Sequence, residues 1–106
     1  MSLFDEGLAL FNAGRFYECH EVWEDLWRPS AAPQRLFLQA LIHFAVAFYH
    51  DQQANPTGAR RQLRKGLTKL AAYLPAYGGI DTAALYAAGV RRWLTGPPYA
   101  PYPAIQ

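Results

Sequence analysis

Three kinds of side chain in this sequence have the chemistry to bind or react: imidazoles, carboxylates and a cluster of cations. The densest stretch is Phe16 to Arg28, FYECHEVWEDLWR, which carries His20, Glu21, Glu24, Asp25, the lone Cys19, Trp23 and Trp27. At about 100° per residue, Cys19, Val22, Trp23, Leu26 and Trp27 fall in one apolar arc, with Glu18, Glu21, Asp25 and Arg28 opposite. His20 and Glu24 lie on the flank, one turn apart, so their side chains are neighbours. One chemical use of that pair is to offer an imidazole and a carboxylate to a metal or substrate. The plainer use is a hydrogen bond at the edge of a core. The spelling HEVWE resembles the zinc-protease helix H-E-x-x-H, but Glu24 stands where the second imidazole belongs.

A second stretch, Leu36 to Tyr49, is apolar almost throughout and reads as a central helix running from about Pro33 to about Asp51. Its polar residues are therefore informative. Gln39, His43 and His50 share one stripe, because seven residues make nearly two turns. Buried polar groups need partners: neighbouring helices, water or a ligand. His43 and His50 stand about 10 Å apart along such a helix, too far for one ion to take both easily.

The remaining elements must position these residues. Ser2 and Asp5 start a short helix, Leu3 to Asn12, and Asn12-Ala13-Gly14 turns the chain back into the Phe16–Arg28 helix. Arg28-Pro29 ends that helix. Asn55-Pro56 opens a fourth helix, 56–74, with Leu63, Leu67, Leu70 and Leu74 on one face and Arg60, Arg61, Arg64, Lys65 and Lys69 on the other. Gly66 near the apolar face allows close helix–helix approach. Asp81 caps a fifth helix reaching about Leu94, along which Leu85, Ala88 and Arg92 align and Tyr86, Val90, Trp93 and Leu94 are available for packing. The expected architecture is all-α: one domain over 1–95, a bundle of about five helices in antiparallel hairpins, and an extended Pro/Tyr-rich tail over 96–106 that Tyr99, Tyr102 and Ile105 could dock.

Composition bounds the function. The 106 residues suffice for one core, and 52% apolar content argues against disorder. The apolar run is too short for a membrane span. The segment MSLFDEG lacks the features of a signal peptide. A single cysteine excludes an internal disulfide. A cytoplasmic protein is expected. The net charge is only +2, yet it is segregated: residues 1–28 carry six acids and two arginines, the rest eight basic and two acidic residues. Oppositely charged helices packed side by side would explain that; so would a surface for an acidic partner.

Taken together, LFNAGRFYECHEVWEDLWR, FLQALIHFAVAFYH and NPTGARRQLRKGLTKL resemble a bacterial and archaeal family, DUF309, over roughly residues 8 to 75. That family reads Tyr/Phe-x-x-His-Glu-x-x-Glu and then Trp-Arg, matched here by Phe16 or Tyr17, His20, Glu21, Glu24, Trp27 and Arg28. Gln39, His43 and His50 match its second segment, and Asn55, Gly58 and Ala59 its third. Ala40 departs from the glycine that often follows the glutamine. The resemblance implies a helical bundle and carries no established activity.

Three functions fit these residues. The preferred one is a non-catalytic interaction or structural module, held by a buried His/Glu/Gln polar network and binding a protein partner or a second copy. The alternative is a ligand or metal site between the second and third helices, with hydrolysis as its simplest reaction. Its ligand candidates are His20, Glu21, Glu24, Trp27, Arg28, Gln39, His43, His50 and Asn55, and its metal candidates are His20, Glu24 and His43. Imidazole would suit zinc, iron, nickel or copper. The third is acidic-partner or nucleic-acid binding by the basic helix, which Arg91 and Arg92 could join. The near-neutral charge and the lack of aromatics among the cations disfavour nucleic acid. No catalytic residue is assigned, and no cofactor is required by the sequence.

Overall fold

The computed structural model describes residues 1–95 and 102–106. Among them are five α-helices and no strand: α1 (Leu3–Asn12), α2 (Phe16–Trp27), α3 (Gln34–Gln52), α4 (Pro56–Leu70) and α5 (Thr82–Thr95). A single 3₁₀ turn, Ala71–Tyr73, follows α4. The chain is an all-α bundle, as its periodicity implies. No helix among the described residues is long and apolar enough to cross a membrane.

Local chemistry explains the boundaries. Ser2 Oγ accepts from the Asp5 amide at 3.0 Å and opens α1. Gly14, at φ +77°, takes the left-handed conformation that reverses the chain into α2. Asn55 Oδ1 accepts from the Gly58 amide at 3.1 Å, and Asp81 Oδ1 from the Ala84 amide at 2.9 Å, capping α4 and α5. The fourth helix is shorter than its leucine spacing predicts. Leu74 precedes Pro75 and is extended, so the chain leaves the helix early and Leu74 is exposed instead of packed. Leu94, expected to be available for packing, is also exposed.

The apolar α3 is the axis, packed against α2 on one side and α4 on the other. Phe37, Leu41, Phe44, Ala45 and Phe48 from it join Phe11, Phe16, Cys19, Trp23, Leu63, Leu70 and Leu85 in one core. Gly66 lets α4 approach α3 closely, for a Cβ there would press on the Phe44 ring and the Ala40 carbonyl. Cys19 is fully buried, and burial pushes its thiol pKa up, so it is an inert core thiol. The acidic α2 and the basic α4 are thus held on opposite sides of α3. No ion pair among the described residues joins α2 to α4, so side-by-side packing of opposite charges does not explain their segregation.

The end of the chain returns to the body. Asn12 bonds both backbone groups of Ile105, accepting from its N–H at 2.8 Å and donating to its carbonyl at 3.1 Å. Tyr102 sits with its ring centroid 4.9 Å from that of Phe16 and 5.1 Å from that of Phe48. Both residues dock as their types imply; Tyr99 lies outside the described residues.

Candidate functional site

The candidate residues fall into separate groups. On α2, His20 Nε2 lies 3.1 Å from Glu24 Oε1, as the one-turn spacing requires. Its Nδ1 faces the Tyr17 carbonyl at 3.3 Å. Both ring nitrogens therefore face oxygen acceptors. Arg28 bridges Glu24 at 3.3 Å and Asp25 at 2.7 Å along the exposed side of the helix. Glu21 is exposed. Trp27 is half-buried, with the Arg35 guanidinium 4.0 Å above its ring, and its indole N–H has no hydrogen-bond partner among the described residues. Arg35 also donates to the carbonyls of Trp27, Arg28 and Ser30, so Trp27 and Arg28 belong to the capped end of α2. Gln39 is half-buried and takes part in neither histidine's hydrogen bonds.

His43 does not join His20. Its Nδ1 pairs with Gln62 Oε1 at 2.8 Å and its Nε2 with Lys69 Nζ at 2.8 Å, both on α4. An ammonium can only donate, so Nε2 is the acceptor and Nδ1 carries the proton given to Gln62. Burial lowers the His43 pKa, and the charges of Lys69 and Lys65 lower it further against the Gln62 bond that raises it. Burial, with Lys65 alongside, lowers the Lys69 pKa too. The expected metal set of His20, Glu24 and His43 is therefore split between two faces of the bundle. Periodicity alone could not tell that α4 rather than α2 supplies the partners of His43. Among the described residues no three His, Cys, Asp or Glu side chains are grouped to share a metal ion.

His50 does approach His20. Tyr17, His20, Val46, Tyr49 and His50 line one cleft of about 140 Å³ between α2 and α3. The rings of Tyr17 and Tyr49 are 5.2 Å apart, and Tyr17 lies 5.5 Å from the His20 ring. Asn55 reaches His50 as well: its Oδ1 is committed to the Gly58 amide, so Nδ2 points at His50 Nδ1, 3.4 Å away. Nδ1 then accepts and Nε2 carries the proton. Asn55 thus serves as helix cap and as orienter of an imidazole. Tyr17 and Tyr49, which bring the aromatic walls, were not singled out by the sequence as candidates; the signal that could have found them is their position beside His20 and His50.

One polar cluster escaped the sequence reading entirely. Arg92 Nε donates to Asp51 Oδ2 at 3.3 Å, with the two side chains only 7% and 4% exposed. Arg92 was expected on a basic surface; it is instead buried between α3, α5 and the returning tail, its guanidinium 4.2 Å from the Tyr102 ring centroid. Burial and the Asp51 charge raise the Tyr102 pKa.

The architecture is that of a small helical bundle with a largely apolar, aromatic-walled cleft between α2 and α3. The chain belongs to the family described as a domain of unknown function, DUF309, which matches residues 4–62. It is 34% identical over 67 residues to the uncharacterised protein YpuF of Bacillus subtilis, covering 61% of this chain and 38% of that one. The chain thus spans well under half the length of that relative. The crystal structure of the conserved hypothetical protein TTHA0068 from Thermus thermophilus is similar, with a TM-score of 0.74 and 33% identity, covering 86% of this chain and 95% of that one.

Proposed function

We propose that this domain is a non-catalytic interaction module, and that the α2–α3 cleft receives a single side chain from a protein partner. The observation that supports this reading is the meeting of His20 and His50, from two separate segments, in one cleft walled by Tyr17 and Tyr49. Its size supports the same reading. At about 140 Å³ it falls below the roughly 300–1,000 Å³ of ordinary small-molecule sites and suits one side chain. Its lining suits the same use, because aromatic residues dominate the energetics of protein contacts. With Asn55 at its Nδ1, His50 offers Nε2–H as a donor to an acceptor on the incoming group. A cytoplasmic location is part of this reading, supported by the single unpaired cysteine.

The test is an NMR titration of the isotope-labelled protein with a panel of N-acetyl amino-acid amides. At least one should shift Tyr17, His20, Val46, Tyr49 and His50 together, and Tyr49→Ala should abolish that response without unfolding the protein. Shifts scattered over the surface, or none for any amide, would refute the cleft as a recognition site.

A further inference from the structure

The cations of α4 form a second surface, independent of the cleft. Arg61, Arg64, Lys65, Thr68 and Lys69 line a concave strip of about 270 Å³ on the outer side of the helix. None of the four cations forms an ion pair with a carboxylate among the described residues. Arg60 is different: it donates to the Trp93 carbonyl at 2.9 Å and stacks 3.6 Å over the Trp93 ring, so it ties α4 to α5 and leaves the strip to the others. Lys69 is pinned in place, since His43 holds its ammonium from beneath and Gln62 holds His43. A side chain so anchored loses less rotamer freedom on meeting an anion than a free lysine does.

We propose that this strip docks an extended acidic segment of a partner protein, with Arg61, Lys65 and Lys69 meeting carboxylates on alternate residues. The spacing supports the match. Residues four apart on a helix rise by about 6 Å, and side chains two apart on an extended strand repeat at about 6.6–6.8 Å on one face. Arg64 and Thr68 flank the row and supply further donors. The strip contains no aromatic ring on which bases could stack, which separates it from single-strand nucleic-acid sites.

The probe is a fluorescent peptide of alternating Glu and Thr, read by anisotropy at low salt, beside an Asn/Thr peptide and a single-stranded oligothymidylate. The acidic peptide should bind and weaken as salt rises. The double charge reversal Arg61→Glu with Lys65→Glu should weaken it by about tenfold or more, since two screened attractions become repulsions. Both positions are exposed, so the thermal melt should be preserved. Equal binding of the neutral peptide, unchanged binding by the double variant, or binding of the oligothymidylate alone would overturn the proposal. None of these outcomes involves Tyr17 or His50, so the strip and the cleft stand or fall separately.

Discussion

Replacing Arg92 by Met tests the buried ion pair that ties α5 to the end of α3. Met keeps an apolar stem of comparable reach and removes the charge. Asp51, 4% exposed, would be left without the cation that faces it. Breaking one partner of a buried pair costs about 3–5 kcal/mol, because the remaining charge has lost both water and its counter-ion. At this chain length each kcal/mol lowers the midpoint of a thermal melt by about 4 °C, so a fall of roughly 12–20 °C is expected. Urea unfolding followed by circular dichroism gives the free energy directly. The double variant Asp51→Leu with Arg92→Met should recover most of the loss, since an apolar pair of similar volume often matches a buried ion pair. A single variant costing less than about 1 kcal/mol, or a double variant as unstable as the two singles combined, would refute this account of the pair.

Two other perturbations follow from the packing. Gly7→Ala should destabilise the protein by about 2 kcal/mol or more: a helix gains about 1 kcal/mol from alanine, but the new Cβ would overlap the indole of fully buried Trp23, which places the overpacking cost at or above the upper end of the usual range of about 1–3 kcal/mol. A stabilised variant in a urea titration would contradict that geometry. His43, whose folded pKa lies below its ordinary value near 6.5, is neutral in the bundle while the unfolded chain takes a proton. Its contribution to stability should be complete above about pH 6.5 and fall away as the pH drops towards the folded pKa, and His43→Asn should flatten that part of the profile. A profile unchanged by the substitution would remove His43 as its source.

Much of the bundle follows from local chemistry. Helix α1 matches its expected bounds because its start and stop depend on Ser2 and Gly14, residues within a few positions of the ends. The His20–Glu24 bond is equally local, since a one-turn separation on any helix makes those side chains neighbours. The burial of Cys19 and the central place of α3 follow from apolar patterning. The tail signalled its own docking through Tyr102 and Ile105. Leu74 was misjudged because helical spacing continues through the sequence beyond the point where Pro75 forbids the helix.

What periodicity could not supply was the identity of each neighbour. It placed Gln39, His43 and His50 along one stripe, but which helix covers each part of a stripe depends on crossing geometry between elements. The fold turns His43 to Gln62 and Lys69 on α4 and leaves His50 to meet His20 across the α2–α3 cleft. Arg92 looked like one more surface cation, because a sequence shows its charge and hides the Asp51 that lies 41 residues earlier and 3.3 Å away. Helix ends and i, i+4 contacts are determined by residues close in the chain, so the sequence alone determined them. The cleft, the pinned lysine and the buried ion pair arise from side chains far apart in sequence, and only the packing of α3 against α2, α4 and α5 decided them.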